Sequence, residues 1–271
     1  MSTLTALELL RQRASIREFT NTPVPDHMLE TVLLAASRAP TSFNFQPYAF
    51  VEIRDPQNRA ELADIAGGQT YIHSAPVLLI ICADLARVRR WCGFEPRTDP
   101  IMDPDLLIAC VTDAALAGMC ASLAAESLGL GTVMVGGIRN NPPRVAELLG
   151  LPQGVLPIFG ICLGFPAERP RARPRLDSAL CIHVDRYDAQ LAMTAAEYET
   201  HWLRSPDGEA PSVSDVESWR DQLARGAKRA NRLAPDLAKR HEQTADGSGH
   251  AVHVETMSLI GNLISTSLRG R

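Results

Sequence analysis

Leu4, Leu7 and Leu10 recur at helical spacing and predict a short first helix that ends beside Arg13. After "TNTPV", Pro25 is expected as the first residue of a second helix, with Asp26 favouring its positive end. Leu29, Val32, Leu33 and Ala36 give that helix an apolar face, and Pro40 is expected to stop it. "YAFVEIRD" (48–55) alternates apolar and polar positions and predicts a strand, and "PQNRAELADIAGG" predicts a short helix closed by glycines. "PVLLIICAD" (76–84) is continuously apolar, the pattern of a central strand covered on both faces. Residues 85–103 are polar and proline-containing and read as a long loop. Residues 105–130 are alanine-rich and apolar nearly all round, which predicts a buried central helix closed by Gly129 or Gly131. "GTVMVGG" and "PIFGICLGFP" (157–166) are strands, and "PPRVAELLG" between them is a short helix opening on proline.

Strands and helices that interleave in this way argue a layered α/β or α+β domain, and no internal repeat interrupts it. The pattern changes beyond about residue 187. Polar, basic helical stretches such as "DVESWRDQLARGAKRANRL" follow, then a break at "HEQTADGSGH". The expected organisation is therefore a core over residues 1–187 and a helical extension over 188–271 that wraps something rather than folding alone.

Composition narrows the class. A chain of 271 residues with 45% apolar content is long enough for a sizeable core. A net charge of −4 supplies no basic field for nucleic acid, and the seven His lack the paired spacing of a metal site. Six Cys show no CxxC. Cys82 and Cys162 lie in strand-like runs and Cys110 and Cys120 in the helix-like one, so buried free thiols in a reducing compartment are expected. The longest apolar span, Leu106 to Leu130, contains Asp113 and Glu126 and reads as a buried helix rather than a membrane span. "MSTLTALELLRQR" has no signal-peptide pattern, and a cytoplasmic protein is expected.

Candidate chemistry is concentrated in a few short stretches. "RASIREF" (13–19) places Arg13 and Arg17 around Ser15. Such a group is either solvated surface charge or a phosphate clamp, in which forked guanidinium donors and a short hydroxyl meet a dianion. "RPRARPRL" (169–176) adds Arg173 and Arg175, flanking Pro174 in an extended loop and pointing to one side. "APTSFNFQPYAF" (39–50) brings Thr41, Ser42, Asn44 and Gln46 behind Pro40, a set that suits turn formation or the edge of a heteroaromatic ring or a polyol chain. Gln69 is a further amide, and Gly136–Gly137 at a strand end either makes a turn or lets a flat ligand approach the backbone. The glycines do not form GxGxxG, which disfavours a Rossmann site.

Taken in order, "RASIREFT", "PTSFNFQPYAF", "LADIAGGQTYIHSAPVLLIICAD" and "ESLGLGTVMVGGIRNNPPRVAELLGLP" with "RPRL" resemble the nitroreductase superfamily of flavin enzymes. The likeness spans roughly residues 4 to 187 and is nearest to the oxygen-insensitive NADPH nitroreductases and NADPH–flavin oxidoreductases. The resemblance implies an α+β fold: three layers, a mainly antiparallel central sheet flanked by helices, in an intertwined homodimer. It implies a bound FMN whose phosphate meets Arg13, Ser15, Arg173 and Arg175. Arg17 would then lie at the flavin N1–O2 edge as the catalytic cation, and Gln69 near the pyrimidine ring. Pro40, Thr41, Ser42 and Asn44 would reach the same cofactor from the partner subunit, with the Gly136 and Gly137 backbone facing N5.

The reaction so implied is a ping-pong transfer of hydride from NADPH or NADH, through FMN, to a nitroaromatic, quinone or flavin acceptor. Arg204 would grip the nicotinamide cofactor, but Asp207, Glu209 and Asp215 beside it weaken the expectation of NADPH over NADH. Two other readings share the scaffold. One is a different redox reaction such as reductive dehalogenation or flavin breakdown, and the other is a non-catalytic flavin-binding protein.

Overall fold

The computed structural model describes residues 5–93 and 104–176, and beyond them residues 178, 181–188, 203–204 and a few positions between 217 and 226. The chain divides into two compact units, one of Ser15–Arg169 with Leu237–Arg271 and the other of Met1–Ala14 with Pro170–Asp236. The expected wrapping extension over 188–271 falls for the most part outside the described residues.

The larger unit is built on a four-stranded sheet of β1 (Tyr48–Glu52), β2 (Val77–Asp84), β3 (Gly131–Val135) and β4 (Val155–Gly164), ordered β1-β2-β4-β3. Every neighbouring pair is antiparallel. The central strands β2 and β4 are buried along their whole length, as the unbroken apolar run in β2 predicts. Helices cover both faces. On one lie α2 (Asp26–Ala36) and α6 (Pro104–Ser127), with Leu29, Val32, Cys110, Ala114 and Ala117 packed on Leu79, Ile81 and Phe159. On the other lie α3 (Pro56–Ile65), α4 (Tyr71–Ser74) and α7 (Pro142–Leu148), with Leu62, Ile72 and Val145 on Leu78, Ile80 and Cys162. This is the expected α+β, three-layer arrangement.

Several expectations need correction. Residues 85–92 are not loop but helix α5 (Leu85–Cys92). Asp84 caps it by accepting from the Arg87 N–H, Leu85 and Val88 are buried, and Gly93 closes it at φ 61°. Its charged outer face hides a two-residue apolar stripe. Helix α6 is buried on one side only: Leu107, Cys110, Ala114, Ala117, Ala121 and Ala125 face the sheet, while Ile108 and Leu116 are exposed. It approaches the sheet closely because Gly118 has no Cβ, which would stand 2.5 Å from the Phe159 ring. Segment Asp105–Ser127 is long and apolar enough to cross a bilayer, and 44% of its most apolar window is buried inside the protein. Helix α2 begins at Asp26 with Pro25 as its cap, and it ends at Ala36, before Pro40 is reached.

In the smaller unit, α1 (Ala6–Gln12) opens on a capping box in which Thr5 and Glu8 exchange hydrogen bonds. That unit also holds a short antiparallel ribbon, β5 (Arg175–Leu176) with β6 (Leu203–Arg204).

Candidate functional site

The segment leaving α1 is laid beside the sheet. Ser15 bridges to Thr132 of β3, and the Ile16 N–H donates to the Thr132 carbonyl at 2.9 Å. Arg17 is exposed and its Nη1 lies 3.4 Å from the Ser15 carbonyl oxygen. Its guanidinium lies against the phenol of Tyr71. Burial pushes that phenol's pKa up, while the Arg17 charge and hydrogen bond pull it down.

Two residues before Tyr71, Gln69 donates from Nε2 to the Ala66 carbonyl at 3.0 Å. Its Oε1 is buried and has no hydrogen-bond partner. A buried carbonyl oxygen left in that state calls for a donor, and a ligand N–H is one kind that would satisfy it. Beside it, β3 stops at Val135, and Gly136–Asn140 form a tight helical turn at the strand's end. The two glycines differ in role. Gly136 is exposed, whereas Gly137 is packed so closely that a Cβ would stand 2.6 Å from the Ala66 carbonyl oxygen. The Arg139 guanidinium stands beside Gly136, 3.4 Å from where a Cβ would be, and Gly137 serves the join between α3 and the turn. The Asn140 side-chain amide completes that join by donating to the Ile65 carbonyl at 2.9 Å. Ser15, Arg17, Tyr71, Gln69 and Gly136 thus form one connected group.

The loop carrying Pro40, Thr41, Ser42 and Asn44 is held elsewhere. The Ser42 N–H donates to Asp113 Oδ2 at 2.9 Å and its hydroxyl to Oδ1 at 3.4 Å. Thr41 Oγ1 accepts from the Gln46 N–H at 3.3 Å, and the Gln46 amide donates back to the Asn44 carbonyl at 3.1 Å. Arg87, paired with Asp84 at 2.9 Å, donates to the Gln46 and Tyr48 carbonyls. Asp113 belongs to α6, on the sheet face opposite α3 and α4. One core unit therefore carries the two groups of candidate residues on opposite sides of its sheet.

The remaining candidates lie in the smaller unit. Arg13 caps α1, and Arg173 is exposed. Arg175 belongs to a strand rather than to a free loop, and the ribbon register sets it opposite Arg204. Arg175 Nη1 donates to the carbonyls of Arg173 at 3.1 Å and Pro174 at 3.2 Å. A basic stretch and a distant arginine are thus brought side by side.

Sequence reasoning missed Tyr71, Arg87 and Asp113. Asp113 left a signal: a lone carboxylate within an apolar helix must find donors. Tyr71 and Arg87 left none, because their roles depend on contacts between segments far apart in the chain.

Comparison with known proteins agrees with the resemblance. A model described as the nitroreductase family matches residues 10–89 and 67–165. The chain is similar to the oxygen-insensitive NADPH nitroreductase of Salmonella typhimurium, at 37% identity over 226 residues, 83% of this chain and 92% of that protein. It is 36% identical over 194 residues to the FMN reductase (NAD(P)H) of Bacillus subtilis, 70% of this chain and 77% of that one. The solved NADPH:FMN oxidoreductase from Vibrio harveyi complexed with NAD+ superposes with a TM-score of 0.65 at 27% identity, covering 93% of this chain and 96% of that chain.

Proposed function

The chain belongs to the nitroreductase family, and from that premise we propose that the connected group around Gln69 is part of its flavin site. It is an NAD(P)H-dependent flavin oxidoreductase with FMN as cofactor, acting on small-molecule electron acceptors. When bound, FMN supplies the redox chemistry, accepting hydride and passing electrons on. The protein's task is to grip, orient and polarise.

The observation that carries the site assignment is the orphaned Oε1 of Gln69. The pyrimidine edge of a flavin presents an N–H between two carbonyls, which matches an amide offering one acceptor and one donor. Arg17 adds a fixed positive charge next to it, suited to the negative charge that reduction places on that edge. In the larger unit, exposed Gly136 is proposed to face the flat ring and the Ser15 hydroxyl to meet the phosphate. In the smaller unit, Arg13, Arg173 and Arg175 are proposed for the phosphate on the family resemblance. Arg204, facing Arg175 in the ribbon register, is assigned to the nicotinamide cofactor. Its replacement, Arg204→Ala, should lower kcat/KM for NADPH relative to NADH, and an unchanged ratio removes it from that role.

A homodimer completes this reading. Thr41, Ser42 and Asn44 lie across the sheet from Gln69 in the same chain, so a second copy is required to bring both groups to one flavin. The exposed Leu34 of α2 and Ile108 and Leu116 of α6, on that same layer, give the two copies an apolar surface to share. We assign residues 1–187 to the FMN-binding core and 188–271 to an extension around the partner or over the site. A cytoplasmic setting suits the six free cysteines and the nicotinamide supply.

The direct experiment is spectroscopic. Purified protein reconstituted with FMN should lose its flavin absorbance anaerobically on adding NADPH or NADH, then recover it with a quinone or nitroaromatic. Bound flavin that stays oxidised under both nucleotides would contradict the proposal.

A further inference from the structure

The loop between α2 and β1 holds a conformation that its own residues disfavour. Phe43, Asn44 and Gln46 all have positive φ, at 50°, 58° and 50°. Asn visits that region readily, but a bulky Phe or a long Gln does so rarely. Within its own chain the loop gains no burial to offset this, since Phe43 is 90% exposed there. Two clasps hold the loop instead. At its start, Asp113 accepts both the N–H and the hydroxyl of Ser42. At its end, Arg87 binds the carbonyls of Gln46 and Tyr48 while paired to Asp84.

Asp113 is 3% exposed, and its layer of α6 is otherwise built from Cys110, Ala114 and Ala117. An alanine would fill such a position without the cost of burying a charge. What the carboxylate adds is a pair of charge-assisted hydrogen bonds to a distant loop.

We infer that Asp113 is a positioning residue for the flavin site, holding the Thr41–Gln46 loop in its left-handed conformation through Ser42, with Arg87 as the second clasp. The inference rests on the assignment of that loop to the flavin made above. Without the clasp the loop relaxes toward ordinary backbone regions, and each FMN bound must re-order it. The loss therefore falls on affinity for FMN.

Flavin fluorescence titration of the full-length, FMN-stripped protein tests this. Asp113→Ala should raise the Kd for FMN by about 10- to 100-fold. Asp113→Asn keeps an oxygen for the Ser42 N–H and should stay within about threefold of the parent. Adding Phe43→Gly to Asp113→Ala should recover part of the loss, because glycine removes the steric cost of a φ of 50° at that position. A general packing defect would show no such recovery. Arg87→Ala leaves α6 untouched and should weaken FMN in the same direction, so it decides the matter if Asp113→Ala does not fold. Parent-like affinity in Asp113→Ala, or in Arg87→Ala where that variant decides, overturns the inference, as does a folded double variant without recovery. A parent protein that binds no FMN at all instead overturns the flavin assignment, so the two failures are distinguishable.

Discussion

Arg17 and Gln69 are proposed to act on the flavin in different ways, and substitution should separate them. Arg17 is exposed and offers a charge rather than a buried contact. Arg17→Ala should therefore slow flavin reduction in stopped flow by about 10-fold or more, with a smaller effect on FMN retention. Equal reduction rates in variant and parent would refute the polarising role. Gln69 offers complementarity instead. Gln69→Leu removes the acceptor and should weaken FMN by about 10-fold or more in a binding titration, as expected for a ligand N–H left unpaired. An unchanged Kd would show that the orphaned oxygen faces something else. Tyr71 links the two through its contact with Arg17, and Gly137 belongs to the scaffold beneath them.

Among the elements, β2, β4 and helix α6 each bury a thiol. Burial pushes the thiols of Cys82, Cys110 and Cys162 up from an ordinary 9.0 to about 12. At pH 8 a disulfide reagent should thus titrate the exposed Cys92 and Cys181 in the native protein and reach those three only after unfolding. The sign for stability follows: the folded state keeps protons that the unfolded state has released. The stabilisation is complete below about pH 9 and is lost as pH rises toward 12, by at most about 1.4 kcal/mol per pH unit for each thiol. Urea melts between pH 8 and 11 measure it, and a Cys162→Ala variant should show the shallower slope. These strands were legible in the sequence because β2 and β4 are apolar on both faces and lie between turn residues. Helix α5 was not, because its apolar stripe is only Leu85 and Val88 under a basic surface. Helix α6 was legible as a helix but not in its exposure, since an all-apolar pattern does not say which side meets the sheet. The clasp at Ser42 was hidden for a further reason: it joins residues 71 positions apart, and no local pattern records such a contact.

At the scale of the whole molecule, the order of four short motifs told more than any one of them, because distant segments must meet for a flavin site to exist. The structure brings Arg17, Tyr71, Gln69 and Gly136 together on one side of the sheet and keeps Ser42 and Asn44 on the other. The central claim is that two copies complete each site. Mixing subunits tests it directly. A Gln69→Leu protein and a Ser42→Ala/Asn44→Ala protein should each bind FMN weakly alone. Unfolded together and refolded at equal amounts, they should yield mixed dimers with one intact site each, and a fraction of sites should regain parent-like affinity. If titration of the mixture shows only the two weak affinities of its parents, the site is not shared between copies and the account is contradicted.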